Sequence, residues 1–165
     1  MEPVNESALS WDETDRGPTQ FRRKRLAAAA GGDDLGASLY EVPAGGKSWP
    51  YHYHTGNEEA LYVLAGEGTL RVGTEDDWTR QPLQTGDYVA LPAGPDSAHR
   101  VENDGDDPLR FLALSTMREP DFTVYPDSGK IGVYAGSPPG GDADERSVDG
   151  YYDRAETVDY WRDEE

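Results

Sequence analysis

The sequence predicts an all-β domain, and three observations point that way. Gly and Pro together supply 19 + 12 = 31 of the 165 residues, too many helix breakers for a bundle and well suited to short strands joined by tight turns. Apolar runs are short, and clusters of Gly, Pro, Asp and Asn separate them at roughly eight-to-twelve-residue intervals, the spacing of a sandwich or barrel. The chain has no Cys, so disulfides, thiolate metal ligands and a cysteine nucleophile are all excluded and the core must hold the fold unaided. A chain of 165 residues is long enough for one such core and short for two.

Taken in order, residues 1–18 are polar and irregular and read as a flexible entry segment. Phe21–Ala27 and Leu35–Val42 read as strands around a Gly31-Gly32-Asp33-Asp34 turn. Pro43-Ala44-Gly45-Gly46 turns the chain into Trp49–His54, after which Ala60–Leu64, Thr69–Val72, Trp78–Leu83, Tyr88–Leu91, His99–Val101 and Leu109–Thr116 follow as further strands. Gly66-Glu67-Gly68 is a hairpin turn rather than a phosphate loop. These elements place the barrel domain at residues 19–135 and an acidic extension at 136–165. In that extension Tyr151, Ala155 and Val158 have helical spacing, which predicts a short C-terminal helix or, alternatively, a disordered tail.

Charge narrows the partners. With 15 basic and 33 acidic side chains the net charge is −18, so association with a nucleic-acid backbone is repulsive. From Asp142 onward ten acids and three Arg give −7, which leaves −11 in the body. Three Lys against twelve Arg, with nineteen Asp against fourteen Glu, is the composition of a surface that stays hydrated in concentrated salt. A halophilic, cytoplasmic protein is therefore expected. The longest apolar run, Leu26–Ala30, is too short for a membrane span or a secretory leader. Arg22-Arg23-Lys24-Arg25 reads as a solvated strand paired with neighbouring carboxylates, not as a nucleic-acid patch.

The chemistry concentrates in three histidines. His52 and His54 are two residues apart and share one face of a strand. Glu59 follows after a turn that returns the chain beside them, and His99 opens a strand some forty residues on. Glu58 is its rival, but strand phase sends it to the opposite face. Three imidazoles and a carboxylate converging inside a barrel are a donor set for one divalent ion: Mn, Fe, Co, Ni, Cu or Zn. By the same phase Leu61, Val63 and Ala65 line the site from one strand, and Val101 and Asn103 from another. Polar reach from the opposite wall falls to Tyr40, Tyr88 or Arg71.

The spacing extends beyond the histidines. Gly46, five residues, His52, one residue, His54, four residues, Glu59, six residues and Gly66 resembles the first motif of the cupin superfamily at full length. Gly86, five residues, Pro92, one residue, Gly94, four residues, His99, three residues and Asn103 resembles its second motif, with two extra residues before the histidine. The resemblance covers roughly residues 35–116. It implies a double-stranded β-helix, or cupin jelly roll, with the metal at its wide mouth. Tyr125-Pro126-Asp127-Ser128-Gly129-Lys130 and Asp159-Tyr160-Trp161 resemble features of small single-domain cupins described as sugar-phosphate-isomerase-like.

Three functions follow from that implication. The first is a metal-dependent enzyme, of isomerase or dioxygenase type, acting on a small oxygen-rich metabolite. The second is a non-catalytic small-molecule-binding or sensing module, and the third is a purely structural metal. A homodimer through Phe21–Leu26 is also expected, with Trp49, Tyr51 and Tyr53 as an outward aromatic strip at its centre; the alternative is that Trp11 folds back over the strip.

A salt test follows from the charge. Screening of the −11 in the body predicts a thermal midpoint that rises from low salt to molar KCl. A midpoint that stays flat or falls removes the halophilic expectation.

Overall fold

The computed structural model describes residues 2–164. The strands are β1 (Asp12–Arg16), β2 (Thr19–Arg25), β3 (Gly36–Val42), β4 (Tyr53–His54), β5 (Glu59–Ala65), β6 (Glu67–Gly73) and β7 (Trp78–Gln84). They continue as β8 (Tyr88–Leu91), β9 (Ala98–Glu102), β10 (Leu109–Ser115), β11 (Asp121–Tyr125), β12 (Lys130–Ala135) and β13 (Val148–Asp153). A single turn of helix, α1 (Leu26–Ala29), follows β2 where the apolar Leu-Ala-Ala-Ala run has no alternation to support a strand. No described helix is long and apolar enough to cross a membrane.

One wall of the jelly roll is a six-stranded antiparallel sheet in the order β1-β2-β3-β10-β5-β8. The facing wall contains a three-stranded sheet, β7-β6-β9, and a four-stranded sheet, β13-β12-β11-β4. An antiparallel bridge between His52 and His99 stitches these two together. His52 N–H donates to the His99 carbonyl at 3.2 Å, and His99 N–H donates back at 2.8 Å. Trp49–His54 is less regular than its composition suggests because Pro50 has no N–H for a ladder.

The core lies between the walls. Phe21, Tyr40, Val42, Leu61, Val63, Leu70, Leu83, Leu91, Val101, Leu109 and Phe111 form one buried cluster. Within it Tyr40 stacks flat on Phe111 at 5.2 Å between ring centroids, and Phe21 meets Trp49 edge-on at 4.6 Å. Two motif glycines have distinct reasons to be Gly. Gly86 has φ +97°, a left-handed turn conformation costly for other residues. At Gly46 a Cβ would sit 2.8 Å from the Gln20 carbonyl, so close backbone approach is what excludes a side chain.

Four expectations need correction. The entry segment is not irregular throughout: β1 pairs with β2 along five residues, and Arg22 and Lys24 lie over the Trp11 ring at 4.6 and 4.5 Å. The barrel does not stop at residue 135, since β13 pairs with β12 over six residues of the extension expected to be a short helix or a disordered tail. Of the Tyr151, Ala155 and Val158 stripe only Tyr151 lies in that strand; Ala155 and Val158 follow it in turn and irregular backbone, so no helix forms there. Arg23 and Lys24 depart from the expected carboxylate pairing, which holds for Arg22 with Glu41 (2.6 Å) and Arg25 with Asp12 (3.3 Å); Lys24 is buried and donates to the Glu6 carbonyl instead.

Finally, the aromatic strip is not outward. Tyr51 is fully buried and donates its hydroxyl to the Thr74 carbonyl at 3.0 Å, while Trp49 is half-buried and donates Nε1–H to the Tyr40 hydroxyl. With β1 paired to β2, the Phe21–Leu26 edge assigned to a dimer contact is occupied within the chain, and Tyr53, the third residue of the strip, is half-buried.

Truncating Leu109, which is fully buried, should cost about 2–5 kcal/mol. Urea unfolding of Leu109→Ala should show a lower midpoint with an unchanged slope; an unaltered midpoint would place Leu109 outside the working core.

Candidate metal centre and its cavity

The site is built by strand pairing. His52 and His99 sit opposite each other across the bridge that joins the two smaller sheets, so their rings share a face, 4.7 Å apart at the centroids. His54 lies two residues along on the same face. Glu59 enters from β5 in the opposite wall. Its Oε2 is 3.3 Å from His99 Nε2, 3.6 Å from His54 Nε2 and 4.0 Å from His52 Nε2. Glu59 is partly buried and turned toward the imidazoles, whereas Glu58 is exposed.

Each imidazole is oriented by its other nitrogen. His52 Nδ1 lies 2.7 Å from the Pro50 carbonyl, His99 Nδ1 lies 3.1 Å from the Ser97 carbonyl, and His54 Nδ1 lies 2.5 Å from Asp121 Oδ2. Oxygen acceptors at every Nδ1 assign the proton there and leave the Nε2 lone pairs turned toward Glu59. Asp121 is fully buried at the start of β11, and its second oxygen accepts the Gly56 N–H at 2.9 Å. Thr123 places its hydroxyl 3.2 Å from the same His54 Nδ1.

Protonation matches this arrangement. Burial, reinforced by His99 and His54, pushes His52 down to about 3, so its ring is neutral at neutral pH. Burial alone would raise Glu59, but the contact with His99 and the three imidazoles around it bring it down to about 2. For His54 burial is outweighed by the hydrogen bond to Asp121 and the nearby Glu59 carboxylate, and its value is raised.

The result is an ionised carboxylate whose buried Oε2 has no hydrogen-bond partner, ringed by three imidazole nitrogens. Three Nε2 atoms and a carboxylate oxygen turned toward one point fit a cation. Among the described residues, His52, Glu59 and His99 offer ligand atoms that all lie within 4.8 Å of one another and could hold a metal ion. His54 stands outside that tightest set but shares its contact with Glu59.

A cavity of about 1120 Å³ opens from these side chains. His52, His54 and Glu59 line it, with Tyr40, Trp49 and Ala113 from the barrel, and Thr123, Tyr125, Tyr134 and Tyr151 from the flanking strands. Tyr125 lies nearly parallel to His52, 5.9 Å between centroids. Tyr134 donates its hydroxyl to Tyr151 at 2.9 Å. Burial pushes both Tyr125 and Tyr134 up, so their phenols stay protonated.

The other expected lining residues divide. Leu61, Val63 and Val101 belong to the core beneath the site, whereas Ala65 is exposed. Asn103 is buried but serves the loop, donating Nδ2–H to the carbonyls of Val42 (2.8 Å) and Asp107 (2.9 Å). Of the three polar candidates only Tyr40 reaches the cavity. Tyr88 is 62% exposed, and Arg71 grips Asp127 with two hydrogen bonds of 2.6 and 2.9 Å while packed between Tyr51 and Trp78. Sequence reasoning missed Asp121, Tyr134 and the inward turn of Arg23. Asp121 follows Pro120 and precedes an alternating run, a strand signal present in the sequence but not a ligand-support signal.

Residues 38–115 match the cupin domain family. A solved structure of a candidate sugar phosphate isomerase from Acidithiobacillus ferrooxidans superposes with a TM-score of 0.75 at 28% identity, covering 92% of this chain and 90% of that one. Acireductone dioxygenase 4 of Arabidopsis thaliana is 39% identical over 75 residues, 45% of this chain and 38% of that protein. The oxalate-binding protein of Thermotoga maritima is 35% identical over 69 residues, 42% of this chain and 52% of that protein. The chain thus spans about half or less of the length of these two curated relatives. With the motif spacing, the antiparallel jelly roll and the convergent histidines all accounted for by one fold, residues 38–115 form a cupin domain.

Proposed function

We propose that His52, His54, Glu59 and His99 together bind one divalent metal ion and that the protein is a metal-dependent enzyme acting on a small oxygen-rich metabolite in the cavity above it. The observation that carries this is the partnerless, buried Glu59 Oε2 beneath three Nε2 atoms. A bound ion of this kind supplies Lewis-acid polarisation of a hydroxyl or carbonyl oxygen.

The chain's own residues do the rest. Pro50, Ser97 and Asp121 hold the three rings at fixed tautomers, so little reorganisation is needed on binding. The apolar layer of Leu61, Val63 and Phe111 closes the floor to water. Tyr125, kept protonated, is available as a hydrogen-bond donor to a substrate oxygen from the side facing His52. An isomerase-type reaction is supported by the near-full-length likeness to the Acidithiobacillus ferrooxidans protein, and a dioxygenase type by the shorter match to acireductone dioxygenase. A non-catalytic binding module is the second reading, favoured by the match to an oxalate-binding protein.

Metal titration tests the centre. Protein stripped with chelator and titrated with Mn, Fe, Co, Ni, Cu or Zn should take up one equivalent, and Glu59→Gln should abolish tight uptake. A wild-type protein that binds none of these ions overturns the proposal. Turnover of sugar phosphates and small dicarboxylates by the loaded protein then separates enzyme from binding module.

Asp121 yields a separate expectation. Asp121→Asn keeps the volume but weakens the acceptor at His54 Nδ1, and should lower metal affinity about 10–100-fold. Unchanged affinity in a folded variant would show that Asp121 only anchors the Gly56 turn.

A further inference from the structure

Arg23 is the outlier of its strand. In β2 the side chains of Arg22 and Lys24 point to the outer face, where Arg22 pairs with Glu41 and Lys24 donates to the Glu6 carbonyl at 2.8 Å. Phe21, Arg23 and Arg25 alternate with them and face inward: Phe21 enters the core, and both Arg side chains line the cavity. In the sheet order β2 is separated from β5 by β3 and β10, so these guanidinium groups enter from the wall region remote from Glu59.

Three cationic side chains line the cavity: Arg23, Arg25 and Arg146. Two are occupied. Arg25 meets Asp12 at 3.3 Å. Arg146 donates to the Ser137 and Pro138 carbonyls at 3.2 and 3.1 Å and to Asp149 at 3.3 Å. Arg23 has no carboxylate within 4.0 Å among the described residues; its polar contact is the Tyr40 hydroxyl at 3.5 Å, and its guanidinium lies 5.3 Å from the Trp49 ring centroid. It is half-buried in a chain of net charge −18, where acidic partners are abundant. A planar five-donor fork left free toward a cavity matches the geometry of an oxyanion.

We infer that the ligand of the metal pocket is an anion, a carboxylate or phosphate ester, whose charged group binds Arg23 while its hydroxyl or carbonyl oxygens face the His/Glu cluster. The inference rests on the proposed metal-dependent function and names the substrate class of that same site. The acids that also line the cavity (Asp33, Asp34, Glu119, Asp142, Asp144 and Glu145) are exposed on its rim, where water and salt screen them more than they screen a half-buried guanidinium. Tyr40 and Trp49 hold the guanidinium plane from the side, so the fork is oriented before a ligand arrives.

Inorganic phosphate, malonate and glucose serve as probes, titrated calorimetrically at one ionic strength into metal-free wild type, Arg23→Gln and Arg23→Lys. Wild type should bind phosphate, malonate or both, and not glucose. Arg23→Gln should weaken that binding about tenfold or more, with Arg23→Lys in between because charge is kept and the fork is lost. Weakening confined to phosphate assigns a phosphate ester, weakening confined to malonate assigns a carboxylate, and weakening of both supports an anion site shared by the two. Wild type that binds neither anion, or Arg23→Gln that binds them as wild type does, overturns the inference. Metal uptake is measured on the same three proteins and should be equal. Loss of uptake in wild type would overturn the metal centre, while the anion titration of the metal-free proteins still judges Arg23 by itself. Thermal midpoints equal to wild type confirm that both variants are folded; should Arg23→Gln unfold, Arg23→Lys against wild type carries the comparison.

Discussion

The bridge between His52 and His99 is the contact on which both fold and site depend. Two backbone hydrogen bonds there tie β9 to the segment ending in β4, and so join the three-stranded and four-stranded sheets into one wall. Because paired residues in an antiparallel ladder project to the same side, the same two bonds set two imidazoles next to each other on the inner face. The barrel cannot close along this seam without assembling half of the donor cluster. That coupling explains why Pro50 is tolerated beside the seam: the ladder it lacks is replaced by single bridges, and its carbonyl is freed to accept from His52 Nδ1.

The burial pattern carries a cost that the donor cluster bears. Three imidazoles and one carboxylate are removed from water, and the buried Glu59 Oε2 has no hydrogen-bond partner. In a fold stabilised only for itself, apolar residues of similar volume would pack there at lower cost. What keeps the polar set in register is a second layer of acceptors, two of them backbone carbonyls within two residues of the histidine they hold. The third is Asp121, from a strand sixty-seven residues away in sequence from His54.

That difference in sequence distance decides what could be read in advance. The convergence of His52, His54, Glu59 and His99 and most barrel strands were legible because they rest on local periodicity: i and i+2 on one strand face, turn glycines at fixed intervals, and the inward phase of Glu59. Asp121 was not legible, since its role exists only once β11 pairs with β4. Tyr51 misled for a related reason. Alternation correctly turned it away from the histidines, but the face opposite the site is not solvent: Arg71 lies 3.8 Å over its ring, held by Asp127 of the turn after β11. The C-terminal strand β13 escaped because helical spacing of three residues is a weak signal beside an available sheet edge.

The division of labour along the chain limits what relatives can say about substrate. The match to the cupin domain family, residues 38–115, contains His52, His54, Glu59 and His99. It omits Arg23, Thr123, Tyr125, Tyr134, Arg146 and Tyr151, which build much of the cavity around them. Short matches to a dioxygenase and an oxalate-binding protein cover less than half of this chain, a share too small to include both flanks of the cavity. The barrel therefore carries the donor cluster, and the flanking strands add the groups that distinguish this cavity. A guanidinium on β2 and protonated phenols on β11 and β12 face one space with the Glu59 cluster. Their combination selects for a ligand that carries negative charge at one end and oxygen functions at the other, a demand that neither the barrel nor the flanks would impose alone.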